Sequence, residues 1–307
     1  MAETIAQAQP GAAARSAGWS PMSPVKGFWR IMRRYPVIPI VILVTLVLSA
    51  IFGPMFAPYP RDIGELPDSH LPPFSRSEVT GNYYFFGTDH VGRDMLTRLL
   101  YGSRVSLTVV SVALVAGSSV GITLGVVSGY YGGWIDEAIT RFVDIWYALP
   151  FLLTALILTL IFGRGLNILV IVLALLAWTG FVRVLRAQAL VLRELDYVNS
   201  ARICGATGPR IIIRHIMPGV LNTAIVIATL NTAGLFLAES VLSFVGAGIQ
   251  PPTPAWGVMV NEGRDYIEFA SWEALVPGGA IFLIVISLNF LGDWLRDKLD
   301  PRLRQLA

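Results

Sequence analysis

Long apolar runs, rather than strict alternation, dominate this chain. Six stretches approach the roughly 20 residues that carry a helix across about 30 Å of hydrocarbon. They run from Val37 to Ala57, Val105 to Tyr130, Phe142 to Phe162, Leu166 to Val184, Val220 to Val245 and Ala274 to Leu291. Only Gly163-Arg164-Gly165 separates the third from the fourth, which predicts a tight antiparallel hairpin. The pattern divides the chain into a disordered tail (1–28), a first transmembrane helix (29–57), an external loop (58–104), a core of five spans (105–292) and a polar tail (293–307). Within the core, a polar segment at 192–218 joins the fourth and fifth spans. The expected fold class is all-α, a polytopic membrane protein with six transmembrane helices.

Charge placement orients the spans. Arg30, Arg33 and Arg34 directly precede the first, which by the positive-inside rule puts the N-terminus in the cytoplasm; six spans return the C-terminus there. Only seven of the 23 basic residues (Arg61, Arg76, Arg93, Arg98, Arg104, Arg164 and Arg264) then lie outside. Composition agrees: 54% of the 307 residues are apolar and 14% charged, against about 25% charged in soluble domains, and the mean hydropathy is +0.64. The N-terminal run does not read as a cleavable signal, because it starts late and lacks a small-residue cleavage site. The positive net charge follows from bilayer orientation and carries no nucleic-acid reading.

Candidate chemistry is sparse. Gly117-Ser118-Ser119-Val120-Gly121 matches the G-x-S-x-G elbow formally, but that motif needs a strand-to-helix turn and here lies inside a long apolar run. His70, His90 and His215 all fall outside the spans, so a serine-protease site lacks its base. Gly117, Gly121, Gly125 and Gly129 instead form a stripe at spacing four that admits a neighbouring helix closely. The histidines and the single Cys204 show none of the spacings of metal sites. The two lysines, Lys26 and Lys298, follow no glycine, so the chain has no phosphate-binding loop of the GxxxxGK[ST] kind.

Charges within spans default to functional hypotheses. Asp144 is expected to pair with Arg141 on one helix face. On the fifth span Asn222, Thr229, Thr232, Glu239, Ser240 and Ser243 share about a third of the circumference at 100° per residue. They form either a wet face lining a substrate path, with Glu239 near the external end where water reaches it, or interhelical hydrogen-bond glue. Scarce buried acids count against a proton-coupled carrier. In segment 192–218, Asp196 is expected as an N-cap with Asn199 at the third helical position, and Gly205 as a left-handed C-terminal cap. Pro209 suits the start of a second helix, and Pro218 is expected to open the fifth span.

Residues 199–218 resemble the cytoplasmic coupling loop of ATP-binding cassette (ABC) importer permeases, Glu-Ala-Ala, three residues, Gly, nine residues, Ile-x-Leu-Pro. Here it reads Asn199-Ser200-Ala201, Gly205 and His215-Ile216-Met217-Pro218. Asn199, Ser200, His215 and Met217 depart from that pattern, and His-Ile-x-Pro is the form of the dipeptide and oligopeptide branch. Three further stretches are similar to the C-type permease of peptide importers: Phe86-Gly87-Thr88-Asp89-His90-Val91-Gly92-Arg93-Asp94, Gln250-Pro251-Pro252-Thr253-Pro254-Ala255-Trp256-Gly257, and Leu291-Gly292-Asp293-Trp294-Leu295-Arg296-Asp297 with Asp300-Pro301-Arg302.

The resemblance implies a type I importer permease in a bacterial or archaeal plasma membrane. It implies a second homologous permease, two cytoplasmic ATP-binding subunits that hold the ATP and magnesium, and an extracytoplasmic substrate-binding protein. This chain would then bind no cofactor and catalyse no covalent step. Dipeptides, oligopeptides, nickel chelates, glutathione-like molecules and some sugars are the substrates of that branch. The competing class is a secondary transporter or channel, which would work without an ATPase.

Overall fold

The computed structural model describes residues 36–299. The tail 1–28, the arginines at 30, 33 and 34, and the Asp300-Pro301-Arg302 stretch lie outside the described residues. Among the described residues nine helices longer than a single turn follow in order: α1 (Val37–Phe56), α2 (Met95–Tyr131), α3 (Gly133–Ala148), α4 (Phe151–Phe162), α5 (Leu166–Leu192), α6 (Asp196–Ile203), α7 (Gly208–Phe244), α8 (Trp256–Gly263) and α9 (Trp272–Leu299). Five of them, α1, α2, α5, α7 and α9, are each long and apolar enough to cross a membrane, and the bent pair α3–α4 adds a sixth if its two halves form one broken span. Exposed apolar side chains such as Val41, Ile51 and Met55 on α1 suit contact with lipid.

The helices depart from the expected limits at several points. The second span begins at Met95, because Asp94 caps the helix by accepting the Thr97 N–H at 2.8 Å. Its 37 residues extend about 55 Å, so at least one end projects beyond the hydrocarbon, and the external loop shrinks accordingly. The third span is not one straight helix. Pro150 lacks an N–H and holds Leu149 extended (φ −86°, ψ 125°), so α3 and α4 meet at 88°. The last span, α9, stays helical to Leu299, through the first residues of the expected polar tail.

The expected Arg141–Asp144 pair does not form. Asp144 accepts from Arg183 on α5 at 2.8 Å, while Arg141 reaches Glu137 at 3.4 Å. Both are exposed ion pairs of small energetic weight.

The tightest packing joins α2 to α5. A Cβ at Gly117, Gly125 or Gly129 would fall 2.5, 2.9 or 2.6 Å from Ala177, Val182 and Arg186 of α5, and one at Gly121 would strike the Trp178 carbonyl oxygen. The stripe brings two backbones together where larger residues could not. The main apolar core lies beside this seam, with Val109, Val110, Leu173, Phe236 and Met259 buried in it.

Residues between α1 and α2 fold into a compact cap over one end of the bundle. A short antiparallel ribbon pairs Ser75 with Tyr84 and Arg76 with Tyr83. The buried Asp68 carboxylate accepts hydroxyls from Ser77 (2.5 Å), Thr80 (3.0 Å) and Tyr84 (3.0 Å). The cap is tied to the helices by Trp272, whose Nε1 donates to the Thr88 carbonyl at 3.1 Å, and by His70, whose Nδ1 lies 2.6 Å from Glu273.

Candidate functional site

The segment expected to couple the chain to a motor stands at the end of the bundle opposite the cap. The α6 helix has eight residues, and its first turn differs from expectation. Leu195 is the N-cap, and Asp196 is the first helical residue without capping a backbone N–H. Asn199 therefore occupies the fourth helical position, where no capping box can close. Its Nδ2 donates to the Glu194 carbonyl at 3.3 Å and its Oδ1 accepts from Arg202 at 3.3 Å.

The C-terminal end is a complete Schellman motif. Gly205 takes φ +78°, its N–H donates to the Arg202 carbonyl at 2.9 Å, and Ala206 donates to Ala201 at 3.0 Å. Val198 is buried against Ile211 and Ile216 on the inner face. Tyr197 stacks on His215 with ring centres 6.2 Å apart, and Arg202 lies over Tyr130 at 5.4 Å. The outer face carries Asp196, Ser200, Cys204 and Gly205, all exposed, and Ile203 at 89% exposure. A capped apolar tip held on a buried anchor is mechanically suited to transmit displacement.

Pro218 stands in the first turn of the α-helical segment Met217–Phe244, as expected, although the chain is already helical before it. The chain enters α7 at Gly208 and passes through a wide turn at Ile212–Ile216, in which Met217 donates back to Ile212. One extra residue in that turn accommodates the proline, which has no N–H to give. His215 sits in the wide turn and Pro218 beside it on the surface.

The polar stripe on α7 does not act as one face. Glu239 is fully buried and accepts from Ser106 of α2 at 3.1 Å and Ser243 at 3.0 Å, with Ser240 at 3.4 Å. Water does not reach it, and α2 and α8 cover that side: a Cβ on Gly257 of α8 would strike the Ser240 backbone. Thr229 and Thr232 bond to their own helix, at Ile225 (3.0 Å) and Ala228 (2.7 Å). Asn222 alone faces an open cavity, of about 400 Å³, which Arg296 also lines.

The sequence reading missed a buried ionic cluster under the cap. Asp89 accepts from Arg93 Nε at 2.7 Å and Arg98 Nη1 at 2.6 Å. Glu262 of α8 lies 2.7 Å from Arg98 Nη2 as a charge contact, out of line for a hydrogen bond, and 3.3 Å from Arg93 Nη2. Two cations and two anions cancel, which burial at this depth demands. Burial acts to raise the Asp89 carboxyl, but the Arg98 and Arg93 charges outweigh it and hold it below the usual range. The spacing of Asp89 and Arg93 was a visible local signal; the partner Glu262, far along the chain, had none.

Residues 121–305 match the family described as binding-protein-dependent transport system inner membrane component. The chain belongs to that family. It is an ABC importer permease. Among its relatives, the glutathione transport system permease protein of Pectobacterium atrosepticum is 35% identical over 284 residues, 92% of each chain. The dipeptide transport system permease protein of Bacillus subtilis is 37% identical over 265 residues, 86% of this chain and 81% of that one. The oligopeptide transport system permease protein of Haemophilus influenzae is 35% identical over 263 residues, 86% and 83% of the two chains. A chain of the MetNI methionine ABC transporter, solved in inward-facing conformations, superposes with a TM-score of 0.54 at 19% identity, covering 67% of the permease and 98% of that chain. That likeness is one of fold. The expected family is thus the observed one.

Proposed function

We propose that this permease joins a second homologous permease to form the path for di- and oligopeptides, or similar small solutes such as glutathione, into the cell. Two cytoplasmic ATP-binding subunits hold α6 and supply the ATP and magnesium. An extracytoplasmic binding protein delivers the solute to the cap end, so both termini face the cytoplasm. Movement of α6 is passed to α5 and α7, which flank it in the chain, and the path switches between its two openings. The permease itself moves solute and makes no covalent bond.

The observation that carries this reading is α6: a short helix anchored by Val198, locked by Gly205 and exposing Ile203 at its tip. Relatives named for dipeptide, oligopeptide and glutathione transport support the substrate class. The test is reconstitution of the permease with its candidate partners in liposomes, followed by uptake of a radiolabelled dipeptide. Uptake that needs ATP and the binding protein is the expected result. Uptake without either supports a secondary transporter or channel instead.

A further inference from the structure

We infer that the cavity between Tyr147, Thr179 and Asn231 is this permease's solute-contacting subsite, with the Asn231 amide as the group that meets peptide carbonyls. This rests on the peptide-import reading above and names the residues that reading leaves open. Of the expected stripe, Glu239, Ser240 and Ser243 are closed in a network and Thr229 and Thr232 bond their own helix, while Asn222 faces a separate cavity beside Arg296.

Asn231 differs from the polar residues of the expected stripe that are already bonded. Its Nδ2 is shielded from solvent and has no hydrogen-bond partner among the described residues. Were it interhelical glue, the amide would bond across to α5. It lies instead over Gly180 of α5, where a Cβ would sit 3.5 Å away. An unmade bond of this kind costs about 1–3 kcal/mol, so the site stays unfavourable until an acceptor arrives. The amide torsion is broad and two-fold, so a small rotation turns the donor into the adjoining space.

That space has a suitable shape and chemistry. A cavity of about 260 Å³ is lined by Tyr147, Leu176, Thr179, Gly180, Asn231 and Gly234. It adjoins one of about 340 Å³ at the α3–α4 bend through Tyr147, Leu176 and Thr179, which line both. Thr179 is buried near the middle of α5, and its hydroxyl makes only a long 3.5 Å bond to Leu176. Gly234 leaves the α7 backbone open on the same side. No charged side chain lines either cavity. Neutral donors on apolar walls can contact a main-chain amide while tolerating many side chains, which is what a passage for varied peptides requires.

The test uses the complete importer in liposomes with Ala-Glu and Ala-Lys as probes. Asn231→Asp replaces the donor with a carboxylate at equal size. It should lower the Ala-Glu to Ala-Lys uptake ratio by about fivefold, whereas a merely structural residue would lower both alike. In parallel, Asn231→Cys is exposed to a water-soluble thiol reagent, with the labelled cysteine located by mass spectrometry so that native Cys204 is told apart. Labelling in the nucleotide-free or ATP-bound state supports a water-filled subsite. An unchanged uptake ratio, or no labelling in either state, overturns the inference. If the wild-type importer moves neither peptide, the peptide reading fails, and the labelling by itself decides whether the cavity belongs to the path.

Discussion

Arg98 Nη1 lies 2.6 Å from Asp89 Oδ2, and the two side chains are 1% and 2% exposed. One guanidinium thereby joins the cap, through Asp89, to α8, through Glu262. Its removal would leave two carboxylates with Arg93 as their one remaining cation in the cluster. Breaking a buried pair in this way costs about 3–5 kcal/mol. Arg98→Met is therefore expected to lower the melting temperature of the detergent-solubilised permease by about 6 °C or more. Arg98→Lys should recover little, since an ammonium cannot reach both acids in the fork geometry. A melting temperature equal to wild type in Arg98→Met would show that the cluster holds nothing together.

The same cap should respond to acid in two stages. Burial pushes the His90 imidazole below its ordinary value of 6.5. The unfolded chain then takes up that proton first, so stability declines as pH falls below 6.5 and continues to do so down to His90's own lower value. Asp89 is depressed below its ordinary 3.8, so its contribution is present above 3.8 and is lost only as pH falls through the lower folded value. Protection factors for hydrogen exchange across residues 57–94 should thus fall first as pH drops below 6.5, and again as it drops below 3.8. His90→Gln should abolish the first stage and keep the second. An identical profile in that variant would assign the first stage elsewhere.

Glycine positions separate close packing from open surface. A single methyl at Gly121 meets the Trp178 backbone oxygen, which cannot step aside. Gly121→Ala should cost about 1–3 kcal/mol through forced separation of α2 and α5. Gly279→Ala in α9 meets nothing within 4 Å and should be neutral or stabilising by up to about 1 kcal/mol, since alanine favours the helix. Thermal melts of the two variants in the same detergent check the contrast. Equal stability losses at both positions would sink the close-packing account.

The spans were legible because each is a long apolar run, and apolar length is the quantity a bilayer selects. What the runs concealed were features set by single residues or by distant partners. Pro150 sits within an uninterrupted apolar stretch, so the 88° bend at that point left no trace in hydropathy. Residues 95–104 are polar enough to read as loop, yet Asp94 caps them into α2. Helical-wheel arithmetic puts Glu239 and Asn222 within a third of the circumference, but which neighbour covers each position is a tertiary fact. Ser106 and α8 bury Glu239, while Asn222 stays exposed. Gly205 was readable for the opposite reason, since its role is local and depends only on the chain around it.

That local role gives the sharpest functional expectation. Gly205 holds φ +78° and a Cβ added to it would meet nothing within 4 Å, so a larger residue meets conformational strain rather than a clash. A β-branched side chain in this region costs about 1–3 kcal/mol. Gly205→Val should break the Ala206-to-Ala201 and Gly205-to-Arg202 bonds and fray the end of α6, leaving the buried Val198 anchor in place. Assembly with the partner subunits is expected to survive, while binding-protein-stimulated ATPase activity and uptake fall together by about tenfold. Gly205→Asn should retain more of both, because asparagine tolerates the left-handed region. Wild-type uptake in Gly205→Val would remove α6 from the coupling path, and the observation that carries the functional reading with it.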